Sequence, residues 1–490
     1  MLVRSDDIQT YLTDASFMSG GYADRVVLPE SIDEVAEVLA SASRDGIPVT
    51  ISGAGTGTVG GRVAHGGIVL ATDRLNRIKS VVREENGGRG VAEAGVILAD
   101  YQRAVESEGL LYPPDPTERG CFLGGTVATN ASGARTFKYG PTRNYISGLK
   151  VVLASGEVLD LRRGDVRAGS DGRMRVGSIE VQLPNYHRPT TRKNATGYFV
   201  APEMDAIDLF IGSEGTLGVI CEIETKLLPK PEGLLSGVVF FTDEADVLAL
   251  VAQVRSRGDA QLPRALEFFD AESLNFLRQK YPTIPAPAVA ALFFEQETTA
   301  ANEESVFEQW TTLLDQHHAL NDSWFATNTA DQAKLREFRH QLPVLMNEWF
   351  AHYRQRKVST DMAVPDDAFP GLFRLYQETL RASGLRYTIF GHIGDNHVHV
   401  NILPRDDAEG AHARELYVQF LKHAAAVGGT LSAEHGVGKL KREYLRLFYS
   451  DDQLRQMAAL KRAFDPHGIL GRGNIFSEAL LFESEVDCRQ

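Results

Sequence analysis

The sequence predicts an α+β protein of more than one domain, and three observations carry that reading. The chain has 490 residues, more than one hydrophobic core organises. Up to about Lys230 it alternates short apolar runs with glycine-rich loops. Beyond that point strands and helices alternate in the rhythm of helices on an antiparallel sheet of the ferredoxin-like type. The expected division is residues 1–231, residues 232–430 as a ferredoxin-like substrate or cap unit, and residues 431–490 as a helical segment packing back on the first unit.

The first unit reads element by element. Ser31-Ile32-Asp33-Glu34 is a capping box, followed by Ile32, Val35, Ala36, Leu39 and Ala42 at helical spacing, with Gly46 as the stop. Ile47 to Ile51 is a buried strand running into the glycine-rich stretch Ser52 to Gly61. Gly55, Gly57 and Gly60 match GxGxxG, but no helix follows, only Arg62 to Gly67 and the next strand, Ile68 to Leu70. This predicts a pyrophosphate-binding loop between two strands, the bland alternative being a tight glycine turn. A helix is expected from Val96 to Glu108, an irregular segment at Pro113 to Gly120, and a loop at Gly124 to Gly133 on which a planar cofactor can lie. A hairpin follows around Ser155-Gly156, then a polar irregular insertion from Arg162 to Arg192, a short helix at Asp205 to Phe210, and a glycine turn into a strand at Ser213 to Ile220.

In the second unit, strands near Val238–Phe241, Leu266–Phe269 and Ala288–Phe294 alternate with helices near Glu244–Arg257 and Glu303–Leu320. A long helix from Asp331 to Phe350 carries Arg336 and Arg339, and Lys357 to Pro365 follows as a strand. The run Gly391 to Asn401 organises the rest. His397, His399 and Asn401 alternate with Val398, Val400 and Ile402, the period of a strand with one apolar face. His392 precedes it, and Glu434-His435 sits in a glycine-flanked loop about thirty residues on. Imidazoles with a carboxylate suit a divalent transition metal; histidines that merely hydrogen-bond are the alternative.

Composition excludes several classes. A net charge of −14 argues against nucleic acid and against an acidic membrane surface. The first twenty residues carry Asp6, Asp7 and Asp14 without a long apolar run, so no typical signal peptide is expected, and no window is long and apolar enough to span a membrane. Cys121, Cys221 and Cys488 are too scattered for a disulfide framework, which fits a cytoplasmic location.

The ordered set SGAGTG, PPDP, GGTVATNASG, KYG, SEGTLGVI, GHIGDNHVHVN and SAEHGVGK resembles the FAD-dependent D-2-hydroxy-acid dehydrogenases of the vanillyl-alcohol-oxidase superfamily, with a PCMH-type FAD-binding domain. The resemblance runs over nearly the whole chain. It implies non-covalent FAD, since Gly60-Gly61-Arg62 offers no histidine or cysteine for attachment. It places Ser52, Gly53, Ala54, Gly55, Thr56 and Gly57 on the pyrophosphate. Pro114, Asp115, Gly124, Gly125, Thr126, Thr129, Asn130 and Gly133 go to the ribityl and ring portions, Glu214, Gly215, Gly218 and Ile220 to the adenine side, and Asn474 to the ring.

The resemblance also implies a divalent metal (zinc, or manganese or iron) on His392, His399 and Glu434, with His435 as general base and Arg339 and Asn401 on the substrate. The reaction it implies is oxidation of a small D-2-hydroxy acid to the keto acid: the metal acidifies the hydroxyl, His435 takes its proton, and hydride passes to flavin N5. Electrons then go to a quinone, an electron-transfer flavoprotein or a partner subunit, which allows a peripheral membrane association; a homodimer is compatible. The chain departs from the pattern in three places. His397 is an extra imidazole, read as support for the ligands, the alternatives being a ligand in place of His392 or a solvated side chain; Gly471 to Asn474 replaces the usual terminal motif; and Ser359 stands where hydroxyglutarate enzymes carry lysine, Lys357 being the nearest. The competing readings are a flavin-binding relay or assembly subunit of a larger oxidase complex, and a metal hydrolase built on the histidine strand.

Overall fold

The computed structural model describes residues 1–258 and 261–482, so Cys488 lies outside the described residues. Its front part is built on a four-stranded and a six-stranded sheet. A four-stranded sheet runs in the order Leu2–Arg4, Arg25–Leu28, Ile68–Ala71, Val49–Ser52, with the last three strands parallel. The helix Ile32–Asp45 packs Val35, Leu39 and Ala42 against it. Ser31 caps that helix by accepting from the Glu34 amide, but the Glu34 carboxylate accepts from the Glu30 amide, so the reciprocal box is not closed. The second sheet has six strands, centred on Val219–Pro229 between Gly87–Glu93 and Ile146–Val152. The hairpin around Ser155-Gly156 forms as expected.

Three local expectations change. Gly124 to Gly133 is not all loop: Leu123–Ala128 is a short helix, because Leu123 and Val127, one turn apart, bury in the core. The insertion from Arg162 to Arg192 contains its own hairpin, Arg173–Val176 with Ile179–Gln182, fixed by Met174, Val176 and Val181 in the core. Within Lys357 to Pro365 only Val358–Ser359 pairs as a strand.

The seven-stranded cap sheet is antiparallel throughout and begins at Gly233, four residues after the front sheet ends. Its strands read as continuous apolar runs because both faces are covered. Val239, Phe241, Leu292 and Phe294 face Trp310 and Phe373, on the helices Glu303–Gln316 and Phe369–Ser383. Val238, Phe240, Ala291 and Phe293 face Phe338, Leu342 and Met346 of the helix Thr329–Tyr353. The Phe294 and Trp310 rings stack with centroids 3.7 Å apart.

The last part of the chain is less helical than its sequence suggests. Residues 431–441 are irregular, and Asp451–Phe464 is the main helix, capped reciprocally by Ser450 and Gln453. This part is stitched to the front sheets. The Glu214 carboxylate accepts from the Val437 and Gly438 amides, both at 2.7 Å. The Lys439 amide donates to the Val59 carbonyl at 2.9 Å. Gly438 has φ +50°, and a Cβ there would overlap the Val59 carbonyl, so only glycine permits this joint. Further along, Val49 and Leu470 pair in parallel, lengthening the four-stranded sheet.

Candidate active site

A cavity of about 330 Å³ opens between the two front sheets and the C-terminal loop. Gly53, Ala54, Gly55, Thr56 and Gly57 line it at the end of the strand Val49–Ser52. Gly55 has φ +80°, and a Cβ there would meet the Arg62 guanidinium, so backbone and arginine close on one another. Gly124, Gly125, Thr126 and Thr129 form another wall from the short helix, and Glu214, Gly215, Gly218 and Ile220 a third. Glu434 and His435 stand in the same wall, which joins the cavity to the histidine cluster. Glycine-lined concavity with exposed amides suits a dinucleotide cofactor.

The remaining predicted cofactor residues stand behind this lining. The Ser52 hydroxyl accepts from Arg62 Nη1 at 3.1 Å. The Pro114 carbonyl accepts from Gln102 Nε2 at 2.9 Å, and Asp115 pairs with Arg135 at 3.3 Å. Asn130 Oδ1 accepts from the Arg143 amide at 3.0 Å. The Gly133 carbonyl accepts from Lys193 Nζ at 3.1 Å. Asn474 donates to the Gly61 carbonyl at 2.9 Å and accepts from Lys439 Nζ at 2.7 Å.

The cap contributes the histidines through a hairpin. Tyr387–Gly391 pairs with His399–Ile402 in register Phe390↔His399, and a turn at Ile393–Asp395 joins them. His392 leaves the first strand and His399 enters the second, so the turn brings both imidazoles together. Ligand atoms of His392, His397, His399 and Glu434 all lie within 4.8 Å of one another. The fit to a metal can be tested on the nitrogens. His392 Nδ1 is 2.6 Å from Glu267 Oε1, which leaves Nε2, 3.2 Å from Glu434 Oε1, as the inward atom. His399 Nδ1 donates to the Thr360 carbonyl at 3.0 Å, which leaves its Nε2 lone pair 3.8 Å from Glu434 Oε2. His397 is fully buried with neither ring nitrogen in a hydrogen bond, its Nδ1 3.9 Å from Glu434 Oε1. Buried imidazoles without partners are rare, and these point at one another around a carboxylate. The donor set fits a divalent cation.

The electrostatics agree. Burial alone would lower the His392 pKa, but Glu267 and Glu434 overcome it and hold it up at about 9, so the site favours positive charge. Burial, with His397 and His435 nearby, pushes His399 well down, keeping it neutral. Burial raises the Glu267 carboxyl, yet Arg339 and His392 bring it down to about 2. Lys193, fully buried, is 2.5 Å from Glu434 Oε1 and 3.1 Å from Asp395 Oδ2. Asp361, His399 and His435 form a second close group, but the Asp361 oxygens already accept four hydrogen bonds, from the Ser432 hydroxyl, Lys441 Nζ and the Glu434 and His435 amides.

Arg339 reaches the same region from the helix Thr329–Tyr353, its Nε 3.0 Å from Glu267 Oε2, whereas Arg336 pairs with Glu295 at 3.4 Å. Asn401 is fully buried with neither side-chain atom hydrogen-bonded. His435, whose side chain is 31% exposed, stacks on His399 with ring planes 10° apart. Its pKa is lowered to about 4, chiefly by burial. Sequence reasoning missed Arg62, Lys193 and Glu267. Only Glu267 left a signal, an acid inside the apolar strand Ala265–Phe269. Because Glu267 orients His392, Glu267→Gln is expected to weaken metal affinity by ~10–100-fold with the fold intact, read by chelator competition; unchanged affinity removes Glu267 from the site.

Comparisons with known proteins bear on this geometry. Residues 23–162 match the FAD binding domain family, and residues 230–475 match the C-terminal domain of FAD linked oxidases. The chain is 32% identical over 496 residues to a D-lactate dehydrogenase of Anaerostipes hadrus, covering 96% of this chain and 93% of that one. It is 29% identical over 476 residues to glycolate oxidase subunit GlcD of Bacillus subtilis, covering 96% and 92%. It is 28% identical over 495 residues to a D-2-hydroxyglutarate dehydrogenase of Stutzerimonas stutzeri, covering 97% and 96%. A solved alkyldihydroxyacetonephosphate synthase shares the fold at TM-score 0.69 and 17% identity, covering 96% of this chain and 81% of that one. Fold and cavity together define an FAD-linked oxidoreductase acting on CH–OH groups. The chain belongs to the FAD-dependent D-2-hydroxy-acid dehydrogenase family, with a PCMH-type FAD-binding domain and an antiparallel cap. No described helix is long and apolar enough to cross a membrane.

Proposed function

We propose that this protein oxidises a D-2-hydroxy acid to its keto acid with non-covalent FAD and a divalent metal. One observation carries the reading: two histidines whose outer nitrogens are fixed by Glu267 and Thr360 turn their inner nitrogens toward Glu434, which also lines the glycine cavity. When bound, the flavin supplies a two-electron acceptor, and an ion on His392, His399 and Glu434 supplies Lewis acidity, with His397 beside them. The side chains do the rest. Arg339, its Nε held by Glu267 and its Nη1 3.5 Å from His340 Nε2, turns Nη2 to the substrate carboxylate. The unpartnered Asn401 amide supplies a further hydrogen bond to the substrate. His435, neutral at physiological pH, accepts the hydroxyl proton.

An ion-binding set beside the cavity is more than an electron-relay subunit needs, and a hydrolase leaves the glycine loops without a role. Electrons leave to a quinone, an electron-transfer flavoprotein or a partner subunit, and the scattered cysteines support a cytoplasmic enzyme. Anaerobic addition of D-lactate, D-malate, D-2-hydroxyglutarate or glycolate is expected to bleach the flavin with at least one acid. Prior chelation should abolish the bleaching, and zinc or manganese should restore it. Bleaching that survives complete metal removal excludes the metal-assisted reaction.

A further inference from the structure

Asp361 is the most heavily engaged carboxylate among the described residues, and the proposed chemistry gives it no part. It is 1% exposed and belongs to the extended segment after the edge strand Val358–Ser359. Oδ2 accepts from the Ser432 hydroxyl at 2.5 Å, Lys441 Nζ at 2.6 Å and the His435 amide at 3.1 Å. Oδ1 accepts from the Glu434 amide at 3.2 Å and lies 3.3 Å from His397 Nε2. The His435 ring closes the set, with Nδ1 3.3 Å from Oδ2. One cap carboxylate therefore holds the backbone of two successive residues of the C-terminal loop and lies 3.3 Å from a ring nitrogen of each of two imidazoles.

We infer that Asp361 is a positioning residue acting through His435: it keeps the proton of His435 on Nδ1 and so leaves Nε2 free to receive the substrate's. The inference rests on the reading of His435 as the base. The geometry allows little else. Nδ1 lies 3.3 Å from a carboxylate oxygen, which can accept but not donate, so a neutral His435 is favoured with its hydrogen there. Stacking on His399 fixes the ring plane, and the amide contact fixes the main chain, so the remaining freedom is the tautomer and the in-plane aim. Asparagine at position 361 keeps the shape but removes the negative charge beside Nδ1, which loosens the hold on the Nδ1 proton and on the imidazolium that forms.

The test is a double-mutant cycle on the holoenzyme, read by anaerobic flavin reduction with the acid that bleaches best. Asp361→Asn is expected to slow reduction by at least 100-fold. Flavin content, metal content and the Kd of the keto-acid product, read from the flavin spectrum, should stay within threefold. Added to His435→Ala, it should cost less than threefold more. A full, additive loss in the His435→Ala background overturns the inference while leaving the base assignment intact. An active His435→Ala enzyme overturns the base assignment itself. Selective ¹⁵N-histidine NMR of the native zinc-loaded enzyme gives a reading independent of whether Asp361→Asn folds. The His435 signal, assigned by its loss in His435→Ala, should report the Nδ1–H tautomer, and Nε2–H overturns the inference.

Discussion

His435→Ala is expected to lower the rate of flavin reduction by ~10²–10⁴-fold, the usual contribution of a positioned general base. The imidazole stands where cavity and histidine cluster meet, partly open to solvent, and its loss leaves His392, His397, His399 and Glu434 in place. Metal content and flavin content are therefore expected to match the native protein. Rapid mixing under anaerobic conditions reads the rate, and elemental analysis reads the metal. A variant that reduces its flavin at the native rate removes His435 from the chemistry. A variant that loses its metal shows that His435 belongs to the ligand set.

Glu295→Gln is expected to cost ~3–5 kcal/mol of stability, because it leaves buried cations without their counter-charge. Glu295 lies on the strand Ala290–Thr298 with a side chain 4% exposed. It takes Arg264 Nε at 2.7 Å and Arg336 Nη1 at 3.4 Å. Burial pushes its carboxyl up, but Arg264 and Arg135 outweigh that and bring it from 4.5 to about 2. A depressed carboxylate stabilises the fold above its unfolded value and stops doing so as pH falls through its folded value. The native protein should therefore lose this contribution between pH 4.5 and about 2, and Glu295→Gln should lack it at neutral pH. Denaturation midpoints across that range read the effect. Equal midpoints at pH 7 show that the arginines find other partners.

Much of the fold was legible because most of its signals are local. The cap strands announce themselves as short aromatic and β-branched runs, and the hairpin at Ser155-Gly156 by its turn residues. The Leu123–Ala128 helix was not legible, since its glycines favour loop and only the burial of Leu123 and Val127 decides otherwise. In the site, residues that present their own chemistry, such as the histidines and Glu434, could be read from spacing. Residues that act by holding others could not. Lys193 sits in a polar stretch with no periodicity and gains meaning only from Asp395 and Glu434, about two hundred residues further on. Arg62 gains its own from folding back across Gly55.

The joint between the C-terminal loop and the front sheets has a consequence for biosynthesis. A nascent chain released by the ribosome as far as residue 430 would hold every strand of both front sheets and the whole cap. It would still lack the amides that Glu214 grips, the backbone that docks on Val59, and the Leu470 segment beside Val49. A chain of that length keeps the glycine walls of the cavity and lacks Glu434 and His435, the two residues that join it to the histidine cluster.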